Sequence, residues 1–196
     1  MSDRFNHTLK PTAETIAEAA FETLRTRGFA GATSRAIARR GGFNQALIFY
    51  HYGSLEQLLL AALRRTSEAR LARYREVVAR HDSLATLLPA LADLYDEDKA
   101  AGHVQVVSQV VAGSLDRPNV GREALALMEP WIDLAEETLA RVLPDGLPTR
   151  DLAYAAVVFY LGVNLMSHLD PADERTDALF AHMRDAEPLL RALGAP

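Results

Sequence analysis

Apolar residues recur along this chain at the three-and-four spacing of helices, and glycine, proline or a good capping residue breaks the pattern at intervals. The first ten residues are polar, and Pro11 suits the first turn of a helix. From Thr12 to Arg27, Ile16, Ala19, Ala20, Thr23 and Leu24 make one apolar face, Gly28 ends the helix, and Phe29 can fold back onto it. The span Thr33 to Tyr52 predicts two short helices joined by a tight turn. Thr33 is the N-cap. Ile37 and Ala38 point inward and Arg35, Arg39 and Arg40 outward. Gly41-Gly42 stops the first helix, Phe43 plugs the turn as a buried residue, and Asn44 caps a second helix from Gln45 to His51.

Ser54 opens a long helix to about His81. Its apolar stripe is Leu55, Leu58, Leu59, Ala62 and Leu63, and its later half turns polar with Arg64, Arg65, Glu68, Arg70, Arg73, Arg75 and Glu76. Such a helix reads as a rod that joins an N-terminal head to a body. A helix from about Leu84 to Ala101 places Leu84, Leu87, Leu88, Leu91 and Leu94 inward, and Pro89 kinks it or marks a late start. Asp96, Glu97 and Asp98 near its end read as solvated surface. The run VQVVSQVV within His103–Leu115 suits strand or helix by composition, and its surroundings favour helix. After a turn at Asp116–Asn119, a helix from about Val120 to Leu143 is interrupted near Pro130. Leu152 to Leu169 holds no formally charged residue across eighteen positions. That is barely a membrane span, and Tyr154, Tyr160, Asn164, Ser167 and His168 argue instead for a helix covered on both sides by protein. A last helix, about Glu174 to Leu193, carries Leu179, Met183, Ala186, Leu190 and Leu193 on one stripe. A second copy of the chain is the natural cover for the last two helices, giving a four-helix bundle from a homodimer through about 149–169 and 174–193.

These elements predict an all-α chain of about nine helices. A three-helix N-terminal head (1–53) is joined by a long helix to an antiparallel helical C-terminal domain (54–196). Composition sharpens this picture. The chain has no cysteine, which removes disulfides, thiol nucleophiles and cysteine-based zinc sites and fits a cytoplasmic location. The N-terminus shows no apolar signal-peptide core. The net charge of −5 hides an asymmetry: residues 1–65 carry nine basic and five acidic residues, a balance of +4, and the remainder balances at −9. A basic head on an acidic body suggests that the head alone meets a polyanion; ordinary solvated helix faces would give the same count.

Helix, glycine turn and helix over Thr33–Tyr52 form a helix-turn-helix pattern, in which the second helix enters the major groove of DNA. Gln45 has the amide geometry to read adenine. Arg35 suits phosphate or guanine. Leu47 fits either a thymine methyl or the head core. The pieces IAEAAFETLRTRGF (Ile16–Phe29), TSRAIARRGGFNQALIFYHYGS (Thr33–Ser54) and LEQLLLAAL (Leu55–Leu63) together resemble the DNA-binding region of the TetR family of bacterial transcription regulators. The resemblance covers about a quarter of the chain. It implies a homodimer on a palindromic double-stranded operator, some nine helices per chain, and a C-terminal domain that binds a small-molecule effector and releases DNA. It also implies DNA contacts from Thr33, Arg35, Asn44, Gln45, Ala46, Leu47, Tyr50 and His51. The chain departs from the family pattern at Phe49, where a tyrosine is usual, and at Leu55, where a lysine often anchors phosphate.

The body offers polar groups on otherwise apolar helices as candidate ligand contacts: Gln105, Ser108, Gln109, Trp131, Tyr160 and Asn164. Each also suits a satisfied interior or interface residue. Catalysis finds no support in the residues. The six histidines form no short metal-ligand spacing, no glycine-rich phosphate loop or nucleophile elbow occurs, and Glu136-Glu137 reads as a solvated pair. The expectation is a cytoplasmic, ligand-responsive DNA-binding regulator, a repressor, with no catalytic residues, metal or cofactor and no membrane segment. The alternative is a helical ligand-binding protein or enzyme whose head has lost DNA binding.

Overall fold

The computed structural model describes residues 12–114, 118–167, 169–170, 172, 174–185, 188 and 190. Pro11, the start of the turn at Asp116–Asn119 and most of the chain beyond Asp185 lie outside these residues. Among those described, all regular structure is helical, in ten helices. The chain divides into two compact units, Met1–Ala62 and Leu63–Pro196.

The first unit holds α1 (Ala13–Gly31), α2 (Ser34–Gly41), α3 (Ala46–Tyr52) and the start of α4 (Leu55–Val78). Thr12 caps α1 by accepting from the Thr15 amide at 3.2 Å. Gly28 leaves helical geometry at φ 72°, and one further turn carries the chain to Gly31. Ile16, Leu24, Ile37 and Ile48 are fully buried and hold the three helices together. Burying a side chain of this size is worth about 1.5–3 kcal/mol. The Tyr52 hydroxyl donates to the Ala13 carbonyl at 2.5 Å, tying the end of α3 to the start of α1.

The second unit holds the rest of α4, α5 (Leu84–Ala101), α6 (His103–Ser114), α7 (Pro118–Ala126), α8 (Glu129–Val142), α9 (Thr149–Ser167) and α10 (Glu174–Arg184). The valine-rich run is helical, with Val104, Val106, Val107 and Val110 buried. α5 starts at Leu84 and carries Pro89 within it. The expected break near Pro130 falls just ahead of it, at Leu127–Met128, so that Pro130 sits in the first turn of α8, where its missing N–H is harmless. α8 packs along α9 and α10 along α5, the latter through a stack of Tyr95 on Phe180 at 3.8 Å between ring centroids. Among the described residues no helix is long and apolar enough to cross a membrane. α9 buries Ala153 and Asn164 but leaves Leu152, Tyr154, Val158, Phe159, Leu165 and Met166 exposed.

Two expectations need correction. Phe43 is half-buried rather than a fully buried plug, although its ring does close on Gly41: a Cβ there would lie 2.1 Å from Phe43 Cε1. Asp98 is not surface. It is buried and ion-paired with Arg70, which the polar half of α4 likewise buries. Only Asp96 and Glu97 of the acidic trio are solvated.

Candidate functional site

The head presents its candidate residues through local capping. Thr33 accepts from the Ala36 amide at 3.2 Å, which starts α2 with Arg35 and Arg39 facing solvent. Gly42, at φ 68°, closes α2 in the left-handed region that a side chain disfavours. Asn44 Oδ1 accepts from the Ala46 amide at 2.9 Å and so begins α3. Thr33, Arg35, Asn44, Gln45, Ala46, Tyr50 and His51 are all exposed, and Leu47 is half-buried. Tyr50 is 81% exposed, with its ring edge against His51 at 5.0 Å. Leu47 thus stands between its two readings, whereas Ile48 is core. Arg40 is held by Thr26 at 2.8 Å and lies near Glu22. Glu22 in turn sits below the ordinary carboxylate range, chiefly through its hydrogen bond from Arg25. Arg35 and Arg39 pair with no acid among the described residues, so their charge is available to an outside anion.

The second unit holds a partly open cavity of about 410 Å³. Its wall is mainly apolar, from residues such as Leu87, Leu88, Tyr95, Leu134 and Phe180. Of the candidate ligand contacts, Trp131 and Tyr160 line it. Gln105, Ser108, Gln109 and Asn164 do not. Gln105 and Gln109 are half-buried on α6, with Gln109 Oε1 buried and lacking a partner among the described residues. Ser108 donates to the Val104 carbonyl, and Asn164 is fully buried on α9.

The polar groups of the wall converge on a buried ion pair. Arg70 Nε donates to Asp98 Oδ1 at 2.8 Å, and Nη2 reaches both Asp98 Oδ2 and the Tyr160 hydroxyl, the latter at 2.6 Å. Tyr74 and Tyr160 donate to Asp98 Oδ2 at 2.8 and 3.1 Å, and His103 Nδ1 lies 3.3 Å from Oδ1. The Arg70 guanidinium carbon is 5.1 Å from the Trp131 ring centroid, 5.8 Å from that of Tyr160 and 5.9 Å from that of Tyr74, within cation–π range. Trp131 Nε1 donates to Ser67 Oγ at 2.6 Å. Burial pushes the Asp98 carboxyl up, but hydrogen bonds from His103, Arg70 and Tyr74 and the Arg70 charge outweigh it and hold the group below the usual range. Burial also favours neutral Arg70, yet Tyr160 and Asp98 raise its affinity for the proton above the ordinary value. Both tyrosines are pushed up, mainly by burial. The site therefore holds one matched charge pair and two neutral phenols.

Arg70, Asp98, Ser67 and Tyr74 escaped the sequence reading, although one signal pointed to three of them. The apolar stripe of α4 continues at helical spacing from Leu63 through Ser67, Arg70 and Tyr74 to Val78. Polar residues on that stripe face the interior, not solvent.

The chain thus combines a helix-turn-helix with an exposed second helix and a wholly helical second unit that holds a partly open, mainly apolar cavity. Residues 16–62 match the family described as bacterial regulatory proteins, tetR family. The chain is also 27% identical over 120 residues to the HTH-type transcriptional regulator UidR of Escherichia coli K12, covering 61% of this chain and 60% of UidR. The chain thus spans about three fifths of the length of the curated relatives it matches. Among solved structures, the fatty acid degradation regulator FadR of Bacillus halodurans superposes with a TM-score of 0.74 at 15% identity, over 89% of this chain and 93% of that one. FadR of Bacillus subtilis in complex with stearoyl-CoA gives 0.70 at 12%, over 89% and 96%. These structures share the fold. The family match is confined to the N-terminal unit, residues 16–62, and the second unit shares only its fold with these structures.

Proposed function

We propose that this protein is a ligand-responsive, DNA-binding transcription regulator, a repressor of the cytoplasm with no catalytic role. It binds a palindromic operator as a homodimer and leaves it when a small molecule enters the cavity. The observation that carries this reading is the exposed surface formed by the start of α2, the turn and α3. Gln45 opens the recognition helix, and Arg35 and Arg39 offer cations that no acid of the chain engages among the described residues. Gln45 reads a base edge, and Arg35, Tyr50 and His51 meet phosphate or sugar. Thr33 and Asn44 also act as caps, so they place the reading residues as well as adjoining the duplex. Ala46 lets the start of α3 approach closely.

The second copy is proposed to cover α9, where six large apolar side chains are exposed on one helix. α10 contributes less, because Phe180 turns inward onto Tyr95 and the described outer residues are mostly charged. Two heads related by a two-fold axis read half-sites about 34–36 Å apart or a multiple of that. The cavity supplies the effector site, with Trp131 and Tyr160 in its wall. The effector must bind one state of the dimer more tightly than the other, or it shifts nothing.

Selection of random duplex DNA on the purified full chain tests the reading. Enrichment of a palindrome is the expected result. No enrichment, with or without a metabolite extract, rejects it in favour of a helical binding protein without a DNA target.

A further inference from the structure

Arg70 is engaged on one side only. Nε and Nη2 serve Asp98 and Tyr160, whereas Nη1 has no hydrogen-bond partner among the described residues. The side chain is 7% exposed and lines the cavity. A charged donor in a mainly apolar wall is better matched by an acceptor than by hydrocarbon. Most of its other polar groups serve one another or the backbone: Ser67 accepts from Trp131, Tyr74 and Tyr160 donate to Asp98, and Thr138 donates to the Leu134 carbonyl at 2.7 Å. The remaining wall is hydrocarbon and aromatic ring, with the Tyr95 hydroxyl its one further polar group among the described residues.

We propose that the cavity takes a neutral, mainly apolar molecule with a single acceptor oxygen, a ketone, ester or amide carbonyl, that accepts from Arg70 Nη1. A volume of about 410 Å³ lies toward the lower end of small-molecule sites, about 300–1,000 Å³, and suits a ligand of modest size. Charge selects the neutral head. Asp98 already matches Arg70. A carboxylate would bring a second anion beside Asp98, and an ammonium would face the guanidinium. This inference rests on the cavity being the effector site.

Trp131 is the only tryptophan and stacks near Arg70, so its fluorescence reports the site directly. The full chain is titrated at pH 8 with 2-nonanone, nonanoate, nonylamine and n-nonane. The ketone should bind at least tenfold more tightly than each of the others. Its carbonyl stretch should move to lower frequency on binding, the mark of an accepted hydrogen bond in the unaltered protein. Arg70→Lys keeps a cation for Asp98 and removes Nη1; it should weaken 2-nonanone about tenfold and leave n-nonane unchanged. A ketone no tighter than the alkane, a carboxylate or amine that binds best, or an unshifted carbonyl overturns the head-group assignment while the cavity reading stands. If no probe alters Trp131 fluorescence or raises the thermal midpoint, the cavity reading falls, and this inference with it.

Discussion

The two units handle their cations in opposite ways. In the head, Arg35 and Arg39 stand in solvent, and order comes from short-range devices: a threonine cap, a left-handed glycine and an asparagine cap, each reaching no more than a few residues along the chain. In the second unit, Arg70 is buried, and its order comes from partners 28 and 90 residues away, Asp98 and Tyr160. An exposed cation waits for an anion from outside. A buried one is already neutralised and instead specifies how α4, α5 and α9 meet. This contrast is why we propose a polyanionic partner for the head and an uncharged one for the second unit.

The largest expected effect breaks the buried side of this contrast. Asp98→Ala leaves Arg70 uncompensated and should cost about 3–5 kcal/mol in chemical denaturation. A loss below about 1 kcal/mol would mean that the pair is not what holds these helices. The same carboxyl predicts a pH dependence. Its value in the folded protein is depressed, so its stabilisation is present above the unfolded value and lost as pH falls through the folded one. Stability from this group should therefore be constant from pH 7 to 5 and decline below about pH 4. Asp98→Asn should flatten that decline in denaturation curves taken across the range.

Smaller effects belong to the head. Gly41→Ala drives a methyl into the Phe43 ring and should cost about 1–3 kcal/mol, read as a lower thermal midpoint with weaker DNA binding. Gln45→Ala should lose about 1–3 kcal/mol of operator affinity at one base position per half-site, with the folded state unchanged. Equal loss for every base at that position would contradict direct readout. Thr33→Ala removes the α2 cap and should cost about 1 kcal/mol of stability.

The same contrast explains what the sequence could reveal. Thr33, Gly42, Asn44 and the Ile37–Ile48 core were legible because caps and helical periodicity act over a few residues. The helical state of the valine run followed from its neighbours. Asp98 was misjudged because an acidic trio at a helix end looks solvated, and only the fold brings Arg70 to it. The cavity wall was half legible: Trp131 and Tyr160 stood out as polar groups on otherwise apolar helices, but which helices converge on them depends on contacts across the chain. Ser67, Arg70 and Tyr74 could have been found by continuing the α4 stripe through its polar residues.

The central claim is that the head's uncommitted cations meet DNA phosphate. Affinity for a selected palindromic duplex, measured by fluorescence anisotropy at 50 and 200 mM salt, tests it most directly. Two heads that each place two cations on phosphate release about four counterions, which predicts a fall of about a hundredfold between these concentrations. An affinity that does not change with salt, or no affinity for the duplex at either concentration, would contradict the account.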